Sequence, residues 1–137
     1  MIDVRELRIG NLICYKGYDG FKKVESIEKR ENWRGGYRVV AGTSNFMMDL
    51  ISARSIPLTT TFLLENGFKK SYPENRAFEI YYHPVGDFCL TAVGGIISYG
   101  GTIEIKYVHQ LQNLYFSLTG KELNIVEYET AIQGNPC

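Results

Sequence analysis

No surplus of either charge marks this chain of 137 residues: fifteen lysines and arginines stand against fifteen aspartates and glutamates. Without net charge there is no global electrostatic argument for avid nucleic-acid binding. Long apolar runs are missing too. None approaches the roughly 18 residues of a membrane span, so no membrane contact is expected. The N-terminus, Met1-Ile-Asp-Val-Arg-Glu6, lacks the basic-then-apolar order of a secretory signal. The cysteines, Cys14, Cys89 and Cys137, are odd in number and widely spaced, which reads as free thiols in a reducing cytoplasm. Cys14 and Cys89 sit inside apolar runs and are expected to be small buried hydrophobes.

Chemistry-bearing motifs are equally scarce. The only histidines are His83 and His109, and no CxxC or CxxH pair builds a zinc site, so no metal and no cofactor is expected. Nothing matches a nucleophile elbow, a P-loop or a zincin helix. His83 precedes Pro84 in a turn and is expected to face solvent. Its conceivable partners Cys89, Asp49 and Asp87 form no recognisable triad. Glu127 and Glu129 fall on one face of a strand-like tail, where a solvated edge explains them. The chain therefore reads as a non-enzyme with no catalytic residues.

What is present is a composition able to fold, 45% apolar and 13% aromatic. The length suits one compact unit or two closely packed subdomains, divided here into residues 1–57 and 58–137. In the first, Leu7, Ile9, Ile13 and Tyr15 share one side of a strand running from Leu7 to Tyr15, and Gly17 to Gly20 form a turn. Phe21 to Glu28 reads as a strand in which Val24 and Ile27 fall out of phase, which predicts a bulge. Tyr37–Ala41 and Asn45–Ile51 add further strands, and Pro57 closes the segment. Four or five short strands at this spacing suggest an SH3-like curled sheet or small barrel.

Leu58 to Phe68 carries a short helix signature. Thr59 is the N-cap, Leu58 and Leu63 form a hydrophobic staple, and Gly67 takes the left-handed position after the last turn. Ala77–Tyr82, Asp87–Val93 and Thr102–Lys106 then read as an antiparallel meander, with Ile96–Tyr99 a short strand inside the glycine-rich interval 94–101. From Tyr107 to Leu118, residues Tyr107, Val108, Leu111, Leu114, Tyr115 and Leu118 form an apolar stripe, the mark of an amphipathic helix lying on the sheet and ended by Gly120. Glu122–Glu129 alternates well enough to add a strand, and Gln133–Cys137 is expected to fray. The fold class is α+β: an SH3-like curled sheet, then a meander packed on one amphipathic C-terminal helix.

Two stretches, Glu6-Leu-Arg-Ile-Gly-Asn-Leu-Ile13 and the segment Ile105–Leu123 around Tyr107-Val-His-Gln-Leu-Gln-Asn-Leu-Tyr-Phe116, resemble a group of small proteins of phages and prophages of Bacteroides-type bacteria. Ile56-Pro-Leu-Thr59 with the following helix and Gly67-Phe68 is similar to the same group. The resemblance implies a phage setting in the cytoplasm of a bacterial host. It implies no catalytic residues. By analogy it points to an accessory factor such as an inhibitor of host defence.

Two constellations stand out as candidate sites. Residues 22–38 hold six basic side chains against three acidic ones, and Lys29-Arg30-Glu-Asn-Trp33-Arg34-Gly-Gly-Tyr37-Arg38 forms a hairpin loop with the only tryptophan. Guanidinium groups grip phosphates, an indole or phenol stacks on a base, and glycine amides can meet an anion. A phosphate-containing ligand such as a nucleotide is therefore expected here, against the alternative of an ordinary solvated hairpin whose Trp33 folds back. His109, Gln112, Asn113 and Phe116, on the polar side of the last helix, suit an interface or ligand edge. Burial under the rest of the fold, with Phe116 beneath the N-terminal sheet or a tail strand, would leave the same pattern. Tyr15, Tyr18, Tyr37, Tyr72, Tyr81, Tyr82 and Tyr99, placed at turns and strand ends, favour binding to a host protein over chemistry. Edge strands make a homodimer or higher oligomer a further expectation. A single-stranded nucleic acid is the least favoured partner.

Overall fold

The structure, a computed structural model, describes residues 2–16, 20–42, 46–71, 77–85 and 88–125. Strands β1 (Leu12–Tyr15), β2 (Lys22–Lys29), β3 (Tyr37–Ala41), β4 (Phe46–Asp49) and β5 (Ala53–Arg54) form one antiparallel sheet in the order β4-β3-β2-β1-β5. Helix α1 (Thr60–Glu65) leads into a second antiparallel sheet. It contains β6 (Lys69–Ser71), β7 (Glu79–His83), β8 (Phe88–Val93), β9 (Ile96–Tyr99) and β10 (Ile103–Glu104), in the order β10-β9-β8-β7-β6. Helix α2 (Val108–Thr119) follows. The α+β class and the antiparallel meander stand as expected. Among the described residues no helix is long and apolar enough to cross a membrane.

Local chemistry explains most elements. The bulge predicted in β2 lies between Val24 and Ser26, where the register with β3 shifts and lets Val24 and Ile27 both turn inward. Thr59 Oγ1 accepts the Phe62 amide at 3.1 Å, satisfying an orphan donor of α1. At its other end the Phe68 amide reaches back to the Leu63 carbonyl at 3.0 Å, a closure that needs the positive φ of Gly67 (91°). Gln110 accepts from the amides of Lys106 and Tyr107 at 3.0 and 3.2 Å and so caps α2, which ends on Gly120 in the left-handed region.

Several expectations are corrected. Only Leu12–Tyr15 of the proposed Leu7–Tyr15 strand is paired as a strand. Val4–Glu6 is a 3-10 turn, and Gly10 (φ 94°) bends the chain so that Ile9 lies 58% exposed. Strand β6 went unread because its pair Lys69-Lys70 carries no apolar alternation. Glu122–Ile125 forms no strand, and the remainder of that proposed strand lies outside the described residues, as do Tyr18, Tyr72, Asp87 and the fraying tail. Tyr81 is buried, its hydroxyl donating to Glu79 at 2.6 Å. His83 does not project into solvent: its ring meets Phe68 and Tyr115 edge-on, with centroids 5.1 and 5.3 Å away. Cys14 is buried but disulfide-bonded, which withdraws it as support for a reducing compartment. Cys89 is a free thiol on the exposed face of β8, opposite to the expected burial.

Two cores are built. One gathers Leu12, Cys14, Phe62, Leu63, Tyr81, Leu90, Val108, Leu111 and Tyr115, and the other Ile13, Val24, Val39, Met48 and Ala53. Strand β1 serves both, since consecutive side chains of a strand point to opposite faces. Replacing Thr59 by alanine removes the α1 cap, and chemical denaturation should show about 1 kcal/mol of lost stability with an unchanged denaturant slope.

Candidate functional site

The basic hairpin joins β2 to β3. Its turn is closed by backbone bonds from Arg30 to Gly36 (2.9 Å), Trp33 to Arg30 (3.0 Å) and Gly36 to Trp33 (2.8 Å), each written amide to carbonyl. Glu28 neutralises two of the cations. It holds Arg30 at 2.9 Å and makes a very short contact with Arg38, and both guanidiniums keep its carboxyl below the usual glutamate range. The Arg38 guanidinium also lies 5.9 Å from the centre of the half-buried Trp33 ring. Tyr37 packs against the N-terminal core. Lys29 and Arg34 are exposed. The loop thus brings Trp33, Arg38, Arg30 and Glu28 together, leaving Lys29, Glu31 and Arg34 as outward charges.

The polar side of α2 has a different use. Gln112 is buried, its Oε1 accepting from the Leu12 amide at 2.8 Å and its Nε2 donating to the Gly10 carbonyl at 3.1 Å. Asn113 Oδ1 accepts from Asn11 Nδ2 (2.9 Å) and Arg8 Nε (3.1 Å), while its Nδ2 donates to the Glu6 carbonyl at 2.6 Å. Phe116 is 40% exposed and carries the Arg8 guanidinium 4.5 Å above its ring. Arg8 also pairs bidentately with Glu122, whose carboxyl it pulls below the ordinary range. Gln112 and Asn113 therefore form the seam between α2 and the N-terminal segment, as burial under the rest of the fold would have them, whereas Phe116 is not packed beneath the N-terminal sheet but stands exposed under the Arg8 guanidinium. His109 belongs to the same seam. It is 1% exposed and stacked on Tyr107, with Nε2 3.4 Å from a Glu6 carboxylate oxygen and Nδ1 without a partner. Burial lowers its pKa against the weaker upward pull of Glu6.

Beside the seam lies an open cavity of about 490 Å³, floored by Leu12, Gln112 and Leu123 and rimmed by Lys23, Glu25 and Glu122. Its volume is ordinary for a small-molecule site. The sequence offered no hint of it, because its walls come from three distant stretches. Among the described residues no group of three or more His, Cys, Asp and Glu side chains could hold a metal ion.

The third feature is the outer face of the second sheet. Register places Lys69, Tyr82 and Cys89 in one cross-strand row, and Ser71, Ile80, Thr91, Ser98 and Glu104 in the next. Val93 and Ile96 form a third. Tyr82, Val93 and Ile96 are 37%, 50% and 56% exposed. Alternation alone could have revealed this face, since Cys89, Thr91 and Val93 interleave with the buried Phe88, Leu90 and Ala92.

Gln112→Ala leaves the buried Leu12 amide and the part-buried Gly10 carbonyl unpaired and should cost about 1–3 kcal/mol by denaturation, more than a surface Gln→Ala change. His109 should make stability fall in acid. The unfolded imidazole protonates near its ordinary value of about 6.5 while the folded one resists, so stability is full above that pH and declines as pH falls towards the lower folded value. His109→Gln should flatten this slope in thermal melts taken across that window. Comparison of the chain with protein-family models, curated proteins and solved structures gives no match in any of the three.

Proposed function

We propose that this chain is a non-enzymatic, phage-type accessory protein that works by docking to another protein through the outer face of its second sheet. One observation carries the reading: Ile80, Tyr82, Cys89, Val93 and Ile96, with the uncharged Thr91 and Ser98 between them, stand on the outer side of a sheet whose other face is already packed on α1 and α2. Solvated sheets normally alternate apolar-in with polar-out, so an apolar outer face marks an interaction surface. The order β4-β3-β2-β1-β5, with a 3-10 turn at Leu50–Ser52 before β5, supports an SH3-like reading of the first sheet. The likeness of Glu6–Ile13 and Ile105–Leu123 to small phage proteins supports a host or phage protein as the partner.

A second reading keeps the hairpin as a weak site for a phosphate-bearing ligand, such as a nucleotide signal of host defence. Exposed Lys29 and Arg34 beside the Trp33 ring favour it, with the Gly35 and Gly36 backbone at positive φ. The engagement of Arg30 and Arg38 by Glu28 argues against it.

Immobilised chain incubated with host lysate or with soluble copies of itself should retain a stoichiometric protein partner, lost in Ile96→Lys and indifferent to added nucleotides. Equal retention by both forms would overturn the docking reading. Calorimetry with linear and cyclic nucleotides decides the second: heat that disappears in Trp33→Ala/Arg34→Ala supports it, and no heat at micromolar protein removes it.

A further inference from the structure

We propose that the occupant of the outer face is a second copy of this chain, packed face to face about a two-fold axis that runs along β8. The inference rests on the docking reading and names its partner.

The charge pattern selects both the partner and the axis. Lys69 lies on the edge strand β6 and Glu104 on the opposite edge strand β10, and between them the face carries Ser71, Ile80, Tyr82, Cys89, Thr91, Val93, Ile96 and Ser98 without a charge. A two-fold axis across the strands would set β6 on β6 and oppose Lys69 with its own copy. An axis along the strands sets β6 of one copy on β10 of the other, so that Lys69 meets the partner's Glu104 twice, once at each rim. Their rows differ by one outward step, about 7 Å along the strands, a gap that a lysine and a glutamate span together. The wider rule is that isologous interfaces are self-complementary patches; Glu104 also lies 4.0 Å from the Lys106 ammonium, so Lys69 of the other copy would join a Glu104–Lys106 pair and not meet a bare carboxylate.

Shape agrees with charge. The same rotation lays β7 over β9, so the exposed Tyr82 ring comes down beside the β9–β10 turn. There Gly100 and Gly101 have no side chains and open space where a Cβ would stand. Middle strand β8 meets itself, bringing Cys89, Thr91 and Val93 next to their own copies. Five strands at about 4.8 Å spacing make a face roughly 24 Å wide, which places the interface at the small end of specific contacts and predicts association at micromolar concentration.

Sedimentation equilibrium of the full chain over a range of micromolar concentrations should show the mass rising from monomer towards dimer. Thr91→Lys, which sets two ammonium groups against each other near the axis, should hold it monomeric while far-UV circular dichroism stays unchanged. Lys69→Glu and Glu104→Lys should each weaken association about tenfold, two rim pairs being lost, and the double exchange should restore it. That rescue is beyond the reach of a variant that merely misfolds. A short bismaleimide should join wild-type chains through Cys89 and fail on Cys89→Ser. A wild type monomeric throughout, whose Thr91→Lys variant loses a heterologous partner, overturns self-pairing and leaves the docking face standing. A dimer that Thr91→Lys leaves unchanged and Cys89 does not cross-link overturns self-pairing through this face.

Discussion

The rest of the molecule depends on one side chain reading one bend of backbone. Gln112 of α2 accepts the amide of Leu12 and donates to the carbonyl of Gly10, closing the entry to β1 from a hundred residues away. A buried amide and carbonyl at that bend would otherwise be lost to water, and the penalty for leaving them unpaired exceeds the gain from pairing them. The contact therefore acts as a specification. It holds α2 against the strand that presents Leu12 and Cys14 to one core and Ile13 to the other. Asn11 and Asn113 extend the lock, and the pairing of Leu58 with Lys106 and of Val108 with Ile56 pins the chain on the far side of the helix start.

That seam explains how the two cationic regions differ in kind. Arg8 faces Glu122 and Phe116 and fastens the helix to the N-terminal segment, whereas Arg30 and Arg38 close on Glu28 and tighten a hairpin. Basic residues counted along a sequence are not yet an anion site. A guanidinium already holding a carboxylate must surrender that bond before it can hold a phosphate. The uncommitted chemistry of this protein is apolar, on the outer side of a meander whose inner side is already full.

Much of the fold was legible in local pattern. The Thr59 cap and Gly67 closure of α1, the bulge in β2, the short strand Ile96–Tyr99 and the stripe Val108–Leu111–Tyr115 all follow from interactions within a few residues. Cys89 and Ile9 were misread because apolar neighbours in sequence do not say which face is covered. Lys69–Ser71 escaped notice because pairing with β7, and not its own composition, makes it a strand. The candidate surface was half legible. Tyr82 and the aromatic-rich strands pointed to binding, and the alternation of Cys89, Thr91 and Val93 with Phe88, Leu90 and Ala92 held the rest of the face but went unused.

The sequence by itself determined what is decided within one or two turns of chain: the two helices with their caps, most of the strands, and that the ensemble is α+β. Tertiary structure alone decided what His109, Gln112 and Asn113 are for. Their polar groups would serve a ligand, a partner or the fold equally well, and the choice was made by the backbone of Glu6, Gly10 and Leu12 arriving within hydrogen-bond reach. Periodicity records which side of a helix is polar. Only the folded chain shows whether water or another part of the same protein lies against it.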